Sequence, residues 1–194
     1  MASQPRAQLK IIAGQDRGRR LAHPTGNRIR PTPSMAREAL FNIIQENLLG
    51  SAFLDLYAGT GAVGLEALSR GAASTTLVED DREAAELIRE NIHSMARAKD
   101  CYLKSARVEN QVAGFARRKE VFDFVFVDPP YENAGIPIRE LEPILQEGGV
   151  VIHQRPHHNA IGDPFAGTTL EQVDSRRYGK AVLTFWSRPI GKTE

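Results

Sequence analysis

From residue 52 onward, short apolar runs alternate with segments whose apolar residues recur at helical spacing, and this alternation constrains the fold more than any other feature. The apolar runs are predicted strands, at 52–57, 74–79, 101–105, 122–128 and 149–154. Helices are predicted between them, the first ending near residue 70 and the others over 82–96, 107–117 and 137–146. Strands that alternate with helices predict an α/β fold, a mostly parallel sheet covered on both faces.

Two further segments flank this region. Downstream, the sequence TTLEQVDSRRYGKAVLTFWSR predicts two strands around Tyr178-Gly179, hence a terminal antiparallel hairpin that brings the sheet to seven strands. Upstream, 8–13 and 18–22 predict two short strands, and 35–48 predicts a helix that Ser34 caps. We therefore divide the chain into an N-terminal extension, residues 1–48, and an α/β domain, residues 49–194.

The extension is strongly basic. Residues 1–40 hold eight Lys or Arg residues and two acidic residues, whereas the whole chain of 194 residues has a net charge of +1. A positive arm on a mildly negative body favours contact with a polyanion such as a nucleic acid. A solvated basic tail would have the same composition, so the charge alone leaves both interpretations open.

Composition also limits the setting of the protein. No apolar run approaches the ~18 residues of a membrane helix, and Met1–Lys10 lacks the apolar core of a signal peptide. The single cysteine, Cys101, suits a reducing cytoplasm and is expected to be a buried structural thiol. We expect a cytoplasmic monomer. His153, His157 and His158 fit no standard metal-ligand spacing, so we expect a solvated loop there and no metal.

A glycine-rich loop follows the first predicted strand of the α/β domain. Gly59, Gly61 and Gly64 spell G-x-G-x-x-G, and Glu79 lies 20 residues beyond Gly59 at the end of the next strand. This pattern matches a dinucleotide-binding loop, although glycines alone would also suit a tight strand-to-helix turn. Asp55 argues against a dinucleotide, because its carboxylate would repel a pyrophosphate but attract the ammonium and sulfonium of S-adenosylmethionine. The loop therefore predicts S-adenosylmethionine as the cofactor.

The tetrapeptide Asp128-Pro129-Pro130-Tyr131 follows the fourth predicted strand, whose carboxyl end should lie beside the glycine loop. An exocyclic amine of a base is a poor nucleophile, because its lone pair is delocalised into the ring. The Asp128 carboxylate and the Pro129 carbonyl can accept its two N–H bonds and aim the lone pair at a sulfonium methyl. The two prolines stiffen the loop, and Tyr131 offers a ring on which the base can stack. The tetrapeptide therefore predicts methylation of a base amine.

These motifs together resemble the bacterial 16S ribosomal RNA guanine-N2 methyltransferases, the family named for guanine 966 of the small subunit. The resemblance covers most of the chain, in IIAGQDRGRRLAHP, RPTPSMAREALFNII, DLYAGTGAVGLEALSRGA, LVEDD and FVFVDPPY. It implies a Rossmann-like class I methyltransferase fold. It also implies that the extension binds RNA, and that the partner is 16S rRNA in the small ribosomal subunit or in a late assembly intermediate.

The resemblance also implies roles for individual residues. Cofactor contacts are expected from Asp55, Tyr57, Ala58, Gly59, Gly61, Glu79, Asp80, Ser105 and Ala106. RNA contacts are expected from Arg17, Arg19, Arg20, Arg28, Arg30, Thr32 and Arg37. The chain departs from the family pattern at Met35, where Arg is usual, at Ser105-Ala106, where an acidic residue is frequent, and at Gln154, where Glu is common.

The predicted function is transfer of a methyl group from S-adenosylmethionine to guanine N2 in 16S rRNA. DNA adenine-N6 and protein glutamine-N5 methylation remain alternatives, because the tetrapeptide suits any planar amine or amide. A non-catalytic RNA-binding assembly factor that retains the fold is a further alternative. Cytosine-C5 methylation is disfavoured, since it needs a nucleophilic cysteine and Cys101 lies at the start of a predicted strand.

Overall fold

A computed structural model describes residues 9–24, 34–130, 138–157 and 164–191. Within these residues a single seven-stranded sheet has the strand order β3-β2-β1-β4-β5-β7-β6. The strands are β1 Ala52–Leu56, β2 Ser74–Glu79, β3 Cys101–Ser105, β4 Phe122–Val127, β5 Leu145–Pro156, β6 Glu171–Tyr178 and β7 Ala181–Ser187. The helices are α1 Ser34–Leu48, α2 Ala62–Ser69, α3 Arg82–Ser94, α4 Val108–Arg118 and α5 Ile138–Leu141. β1 to β5 run parallel to one another, and β7 runs antiparallel to both of its neighbours, β5 and β6. This arrangement confirms the predicted fold class.

The central strands are apolar on both faces because helices cover both faces. In β4, Phe124 and Phe126 pack with α1 on one face, while Val125 and Val127 pack with α4 on the other. Alternation along a strand therefore assigns Asp128 to the same face as Phe126. Phe185 and Trp186 of β7 are buried in the core.

All the parallel strands end at one end of the sheet, here called its carboxyl end. Leu56 is level with Val78 on β2 and with Val127 on β4. The loops that follow β1, β2 and β4 therefore emerge side by side, which is where a doubly wound sheet places its ligand crevice.

The extension packs on the α/β domain through apolar side chains. Leu9, Ile11 and Leu21 share a buried cluster with Leu65 of α2 and Leu77 of β2. The two strands predicted at 8–13 and 18–22 are reduced to one antiparallel bridge, Lys10 to Arg20, between irregular segments.

Two local predictions are wrong. The helix predicted over 137–146 extends only over Ile138–Leu141 and then a 3-10 turn, Glu142–Ile144, because Pro143 lacks the N–H that a continuing helix needs. His153 was expected in a solvated loop but is buried in β5. Burial lowers the pKa of His153 to about 4, and the positive charge of the nearby Arg155 adds to this shift.

Cys101 is buried, as predicted. Among the described residues, no helix is long and apolar enough to cross a membrane.

Candidate active site and cofactor loop

The loop after β1 has a backbone that few side chains tolerate. Gly59 and Gly61 have φ angles of 58° and 75°, and Tyr57 adopts a φ of 61° although it carries a large side chain. The Gly61 N–H donates to the Ala58 carbonyl at 2.7 Å and closes the turn. Strained backbone of this kind is concentrated at ligand-binding sites. The loop thus presents its backbone at the start of α2, where the sequence predicts the cofactor.

The third glycine of the motif has a packing role. A Cβ added to Gly64 would lie 2.2 Å from Leu77 Cδ2 and 2.8 Å from Thr75 Oγ1, so α2 approaches β2 too closely for any side chain. This is the part that the last glycine plays in a G-x-G-x-x-G turn.

Asp55 lies beneath the loop. The residue is 1% exposed, and its Oδ2 accepts the Gly64 N–H at 2.8 Å, so it satisfies one of the unpaired donors at the start of α2. Burial raises the pKa of Asp55 to about 8 against the opposing effect of the Gly64 bond, and the nearby Asp128 and Glu79 charges raise it further. Asp55 therefore holds the loop in place, and contact with a cofactor ammonium stays a prediction.

Glu79 joins the loops that follow β1 and β2. Its Oε2 accepts the Gly59 N–H at 2.7 Å, and its Oε1 accepts the Asp81 N–H at 2.9 Å. Burial raises the pKa of Glu79, although these backbone donors oppose the shift. Each carboxylate oxygen can accept a further bond, so Glu79 keeps acceptor capacity for ribose hydroxyls.

The remaining predicted cofactor residues surround this point. Ala58 donates its N–H to the Val78 carbonyl at 3.0 Å, and Ala106 donates to the Glu79 carbonyl at 3.0 Å. Ser105 ends β3 level with Glu79, and both Ser105 and Asp80 are exposed. These residues occupy the carboxyl ends of β1, β2 and β3 as a continuous group.

Asp128 follows β4 directly, and its side chain has a hydrogen-bond partner, Gln154. In the sequence, Gln154 is notable only because the resembled family commonly has Glu at that position. Gln154 of β5 donates its Nε2–H to Asp128 Oδ2 at 2.6 Å. The Gln154 Oε1 atom is buried and has no hydrogen-bond partner within the part of the chain that the structure describes. Pro129 is half-buried and Pro130 is exposed, whereas Tyr131 lies outside the described residues. Gln154 thus belongs to the site although no motif predicts it.

The glycine loop and the Asp128 loop are neighbours. Their strands pair through Leu56 and Val127, at the usual inter-strand spacing of about 4.8 Å. The charges of Asp128 and Glu79 both raise the pKa of Asp55, which places three carboxyl groups in one region. A negative site of this kind repels a pyrophosphate but suits a ligand that carries an ammonium and a sulfonium. The residues present therefore fit S-adenosylmethionine better than a dinucleotide.

The arginines expected to contact RNA do not form one group. Arg17, Arg19 and Arg20 are exposed. The turn that carries Arg17 is anchored to Ser69, the last residue of α2, by the Asp16 N–H at 3.0 Å, so it lies at the far end of α2 from the glycine loop. Arg19 is paired with Asp16 at 2.7 Å. Arg28, Arg30 and Thr32 lie outside the described residues.

The structure contradicts the expected RNA contact of Arg37, because this residue is buried. Its side chain is 1% exposed and donates Nη2–H to the Lys10 carbonyl at 2.6 Å, with Nε 3.8 Å from Glu66 Oε2. A guanidinium enclosed in this way contacts no phosphate, so Arg37 links α1 to Lys10, earlier in the extension, and to Glu66 of α2. Burial lowers its pKa, against the opposing charge of Glu66.

Comparisons with known proteins identify the family of this chain and relatives of it. The family model described as conserved hypothetical protein 95 matches residues 9–187. The Ribosomal RNA small subunit methyltransferase D of Escherichia coli (strain K12) is 38% identical over 144 residues, which are 73% of this chain and 69% of that protein.

Solved structures show the same fold. A hypothetical protein of Thermus thermophilus is 30% identical with a TM-score of 0.76, over 92% of this chain and 98% of that chain. The T. thermophilus 16S rRNA N2 G1207 methyltransferase, solved with AdoMet and guanosine, has a TM-score of 0.67 at 19% identity, over 82% of this chain and 44% of that chain.

Proposed function

Because the chain belongs to the conserved hypothetical protein 95 family, we propose that it methylates the exocyclic N2 of a guanine in 16S rRNA, at the position of guanine 966. The chain is an rRNA methyltransferase that uses S-adenosylmethionine. The choice of a planar amine as the methyl acceptor rests on one observation, the adjacency of the Asp128 carboxylate to the glycine loop. The choice of guanine N2 among such amines rests on the resemblance to the guanine-N2 methyltransferases. We further propose that it acts as a cytoplasmic monomer on the small ribosomal subunit or an assembly intermediate.

The cofactor is proposed to lie over the carboxyl ends of β1 to β3. Gly59 and Gly61 would let the backbone approach it closely, and Glu79 would accept its ribose hydroxyls. Its ammonium, once bound, would favour the ionised form of Asp55. Tyr57, Ala58, Asp80, Ser105 and Ala106 would complete the binding site. When bound, S-adenosylmethionine supplies an electrophilic methyl group on a sulfonium.

The protein's own contribution is to orient the amine. One N–H of the guanine amino group would donate to Asp128 and the other to the Pro129 carbonyl, which directs the nitrogen lone pair at the methyl group. Gln154 holds one oxygen of Asp128 at 2.6 Å, so the carboxylate is fixed before substrate arrives. After transfer, the proton lost from nitrogen can pass to Asp128 or to water. Stacking on Tyr131 would hold the base flat in the site.

The extension is proposed to supply the first RNA contacts. Arg17, Arg19 and Arg20 are exposed and can reach phosphates, and Arg28, Arg30 and Thr32 are retained in this proposal. Arg37 is excluded from it because its side chain is buried. Binding through phosphates should weaken steeply with salt.

Transfer of labelled methyl groups onto small-subunit particles tests the proposal. We expect Asp128→Asn to lower kcat by at least about 100-fold, because a neutral side chain loses charge-assisted acceptance of the amine N–H. The cofactor Kd should change little. The matched control is Asp123→Asn, which alters an aspartate at the opposite end of the same strand, where it accepts the Ala52 N–H at 2.7 Å.

The position of the label completes the test. Mass spectrometry of the digested rRNA should find the methyl group on guanine N2. A label on adenine, on DNA or on a protein glutamine would overturn the substrate assignment. Undiminished transfer by Asp128→Asn would overturn the role of Asp128, and absence of transfer by the wild type would favour a non-catalytic assembly factor.

A further inference from the structure

The terminal hairpin carries exposed cations at the same end of the sheet as the active site. Arg176, Arg177 and Lys180, together called the hairpin cluster, are all exposed. Tyr178 of β6 pairs with Ala181 of β7, which in turn pairs with Pro156 at the end of β5. The hairpin turn therefore lies at the carboxyl end of the sheet, beyond the point where β5 is level with Val127.

A row of cross-strand neighbours connects the cluster to Asp128. Gln154 of β5 pairs with Leu183 of β7, and Leu183 pairs with Arg176 of β6. Residues paired across strands point to the same face, so Arg176 shares a face with Gln154, which binds Asp128. Three inter-strand spacings separate β6 from β4, a distance of about 14 Å.

The opposite face of the hairpin is also positive. Arg177 pairs with Val182, and Val182 pairs with Arg155 of β5, so the two arginines flank one residue on the same face. β6 is the outermost strand and most of its residues are exposed. The cluster therefore reaches solvent on both faces and at the turn.

The cluster is held only weakly by the protein itself. Arg176 binds Asp174 at 2.8 Å, but the arginine side chain is 54% exposed. Exposed ion pairs of this kind are weak because water screens them, so a phosphate can compete for the guanidinium. Arg177 donates to the Gly179 carbonyl at 3.0 Å through Nε, a bond that does not use its two terminal nitrogens.

We propose that the hairpin cluster binds phosphates of the rRNA that flank the target nucleotide, as a second RNA-binding surface separate from the N-terminal extension. The inference rests on the proposed function, since it assumes that the base enters beside Asp128. The guanidinium group of arginine and the ammonium group of lysine both donate charge-assisted hydrogen bonds to phosphate oxygens. Phosphate contacts at this end of the sheet would hold the strand while one base leaves its stack.

The test compares two matched double variants. Arg176→Gln/Arg177→Gln removes two adjacent arginines from the hairpin. Arg117→Gln/Arg118→Gln removes two adjacent arginines from the end of α4, which leads into the start of β4 at the opposite end of the sheet. In the control pair, too, one arginine binds a nearby acid, since Arg118 lies 3.0 Å from Glu120. Both variants therefore change the net charge equally.

Binding of unmodified 16S rRNA is measured between about 50 and 200 mM salt. The hairpin variant is expected to bind more weakly, and the slope of log K against log salt should become shallower by about 1.4, the value for two single-strand phosphate contacts. The control variant should match the wild type, and all three proteins should bind S-adenosylmethionine equally.

Each outcome is informative. A hairpin variant that binds RNA with the wild-type slope overturns the inference, as does an equal loss in both variants, which would indicate only a general charge effect. In either case a wild type that methylates guanine N2 leaves the proposed function intact. A wild type that neither binds nor methylates rRNA overturns the proposed function and the inference together.

Discussion

Asp55, Glu79 and Asp128 share the carboxyl end of the sheet. Burial of Asp55, reinforced by the charges of Asp128 and Glu79, raises its pKa. Its pKa is about 8 in the folded chain, against about 3.9 for an unperturbed aspartate. Between these values the folded state holds a proton that the unfolded state has released. Stability contributed by Asp55 is therefore present below about pH 4 and is lost as the pH rises towards 8.

Replacement of Asp55 by Asn should remove this dependence. Asn cannot ionise but can still accept the Gly64 N–H, so Asp55→Asn should gain stability relative to the wild type as the pH is raised from 5 to 8. Urea unfolding of both proteins at the two pH values measures the difference. Asp123→Asn, which also alters an acceptor of a backbone N–H, should show no such gain. A gain of equal size at both pH values would contradict the raised pKa.

The role of Gln154 depends on its neighbour Asp128, and the identity of residue 154 alone does not reveal it. In the sequence it stands where the resembled family often has Glu. In the structure its amide donates to Asp128, which a carboxylate could do only when protonated. A Glu would also add a fourth carboxyl group to the site and raise the pKa of one of them. The substitution thus supplies a donor to Asp128 that does not depend on pH.

At the scale of elements, buried charged side chains join both α1 and the segment around Lys10 to Ala13, two parts of the extension, to α2. Glu66 of α2 accepts the Ile12 and Ala13 N–H groups at 2.7 and 2.9 Å and binds Arg70 at 2.7 Å. Arg37 of α1 donates a hydrogen bond to the Lys10 carbonyl. The extension is therefore attached to the helix that begins at the glycine loop.

Removal of Arg37 should destabilise this attachment. We expect Arg37→Ala to lower the free energy of unfolding by about 3 kcal/mol, because it leaves the buried Glu66 charge less compensated and the Lys10 carbonyl unpaired. Denaturant titration measures the loss. The control is Arg89→Ala, which breaks an exposed pair with Glu86 and should cost less than about 1 kcal/mol. A stable Arg37→Ala protein with weakened RNA binding would instead restore the original RNA-contact prediction.

At the scale of the whole molecule, the division at residue 48 is proposed as a functional boundary between RNA-binding extension and catalytic domain. The packing argues against two independently folding units. Leu9, Ile11 and Leu21 share one cluster with Leu65, and Leu40, Phe41 and Ile44 of α1 pack against Phe53. A shared core of this kind favours a single cooperative transition.

Unfolding followed by independent probes tests this cooperativity. Trp186, the single tryptophan, reports on β7 by fluorescence, and far-UV circular dichroism reports on the helices. Both should give one midpoint in urea. The amide hydrogens of Ile11 and Leu21, bonded to the Arg19 and Leu9 carbonyls, should exchange through the same global opening. Exchange of these two amides at much lower denaturant would show that the extension unfolds on its own.

The sequence alone determined the features that depend on local pattern. Strands β1 to β4 and helices α1 to α4 lie within a few residues of their predicted positions, because alternation, helical spacing, glycines and prolines act on the chain around them. The glycine loop and the Asp128 tetrapeptide were found for the same reason, since each follows a strand directly and a parallel sheet brings strand ends together.

Only the tertiary structure decided which polar residues meet. Gln154 binds Asp128 across 26 residues of chain, and Arg37 binds Lys10 across 27. Strand order and helix packing set such pairs, and no local pattern encodes them. An arginine in a basic segment resembles a phosphate ligand in sequence. Its burial depends on elements distant in the chain, and for that reason Arg37 was misassigned and the hairpin cluster was not predicted.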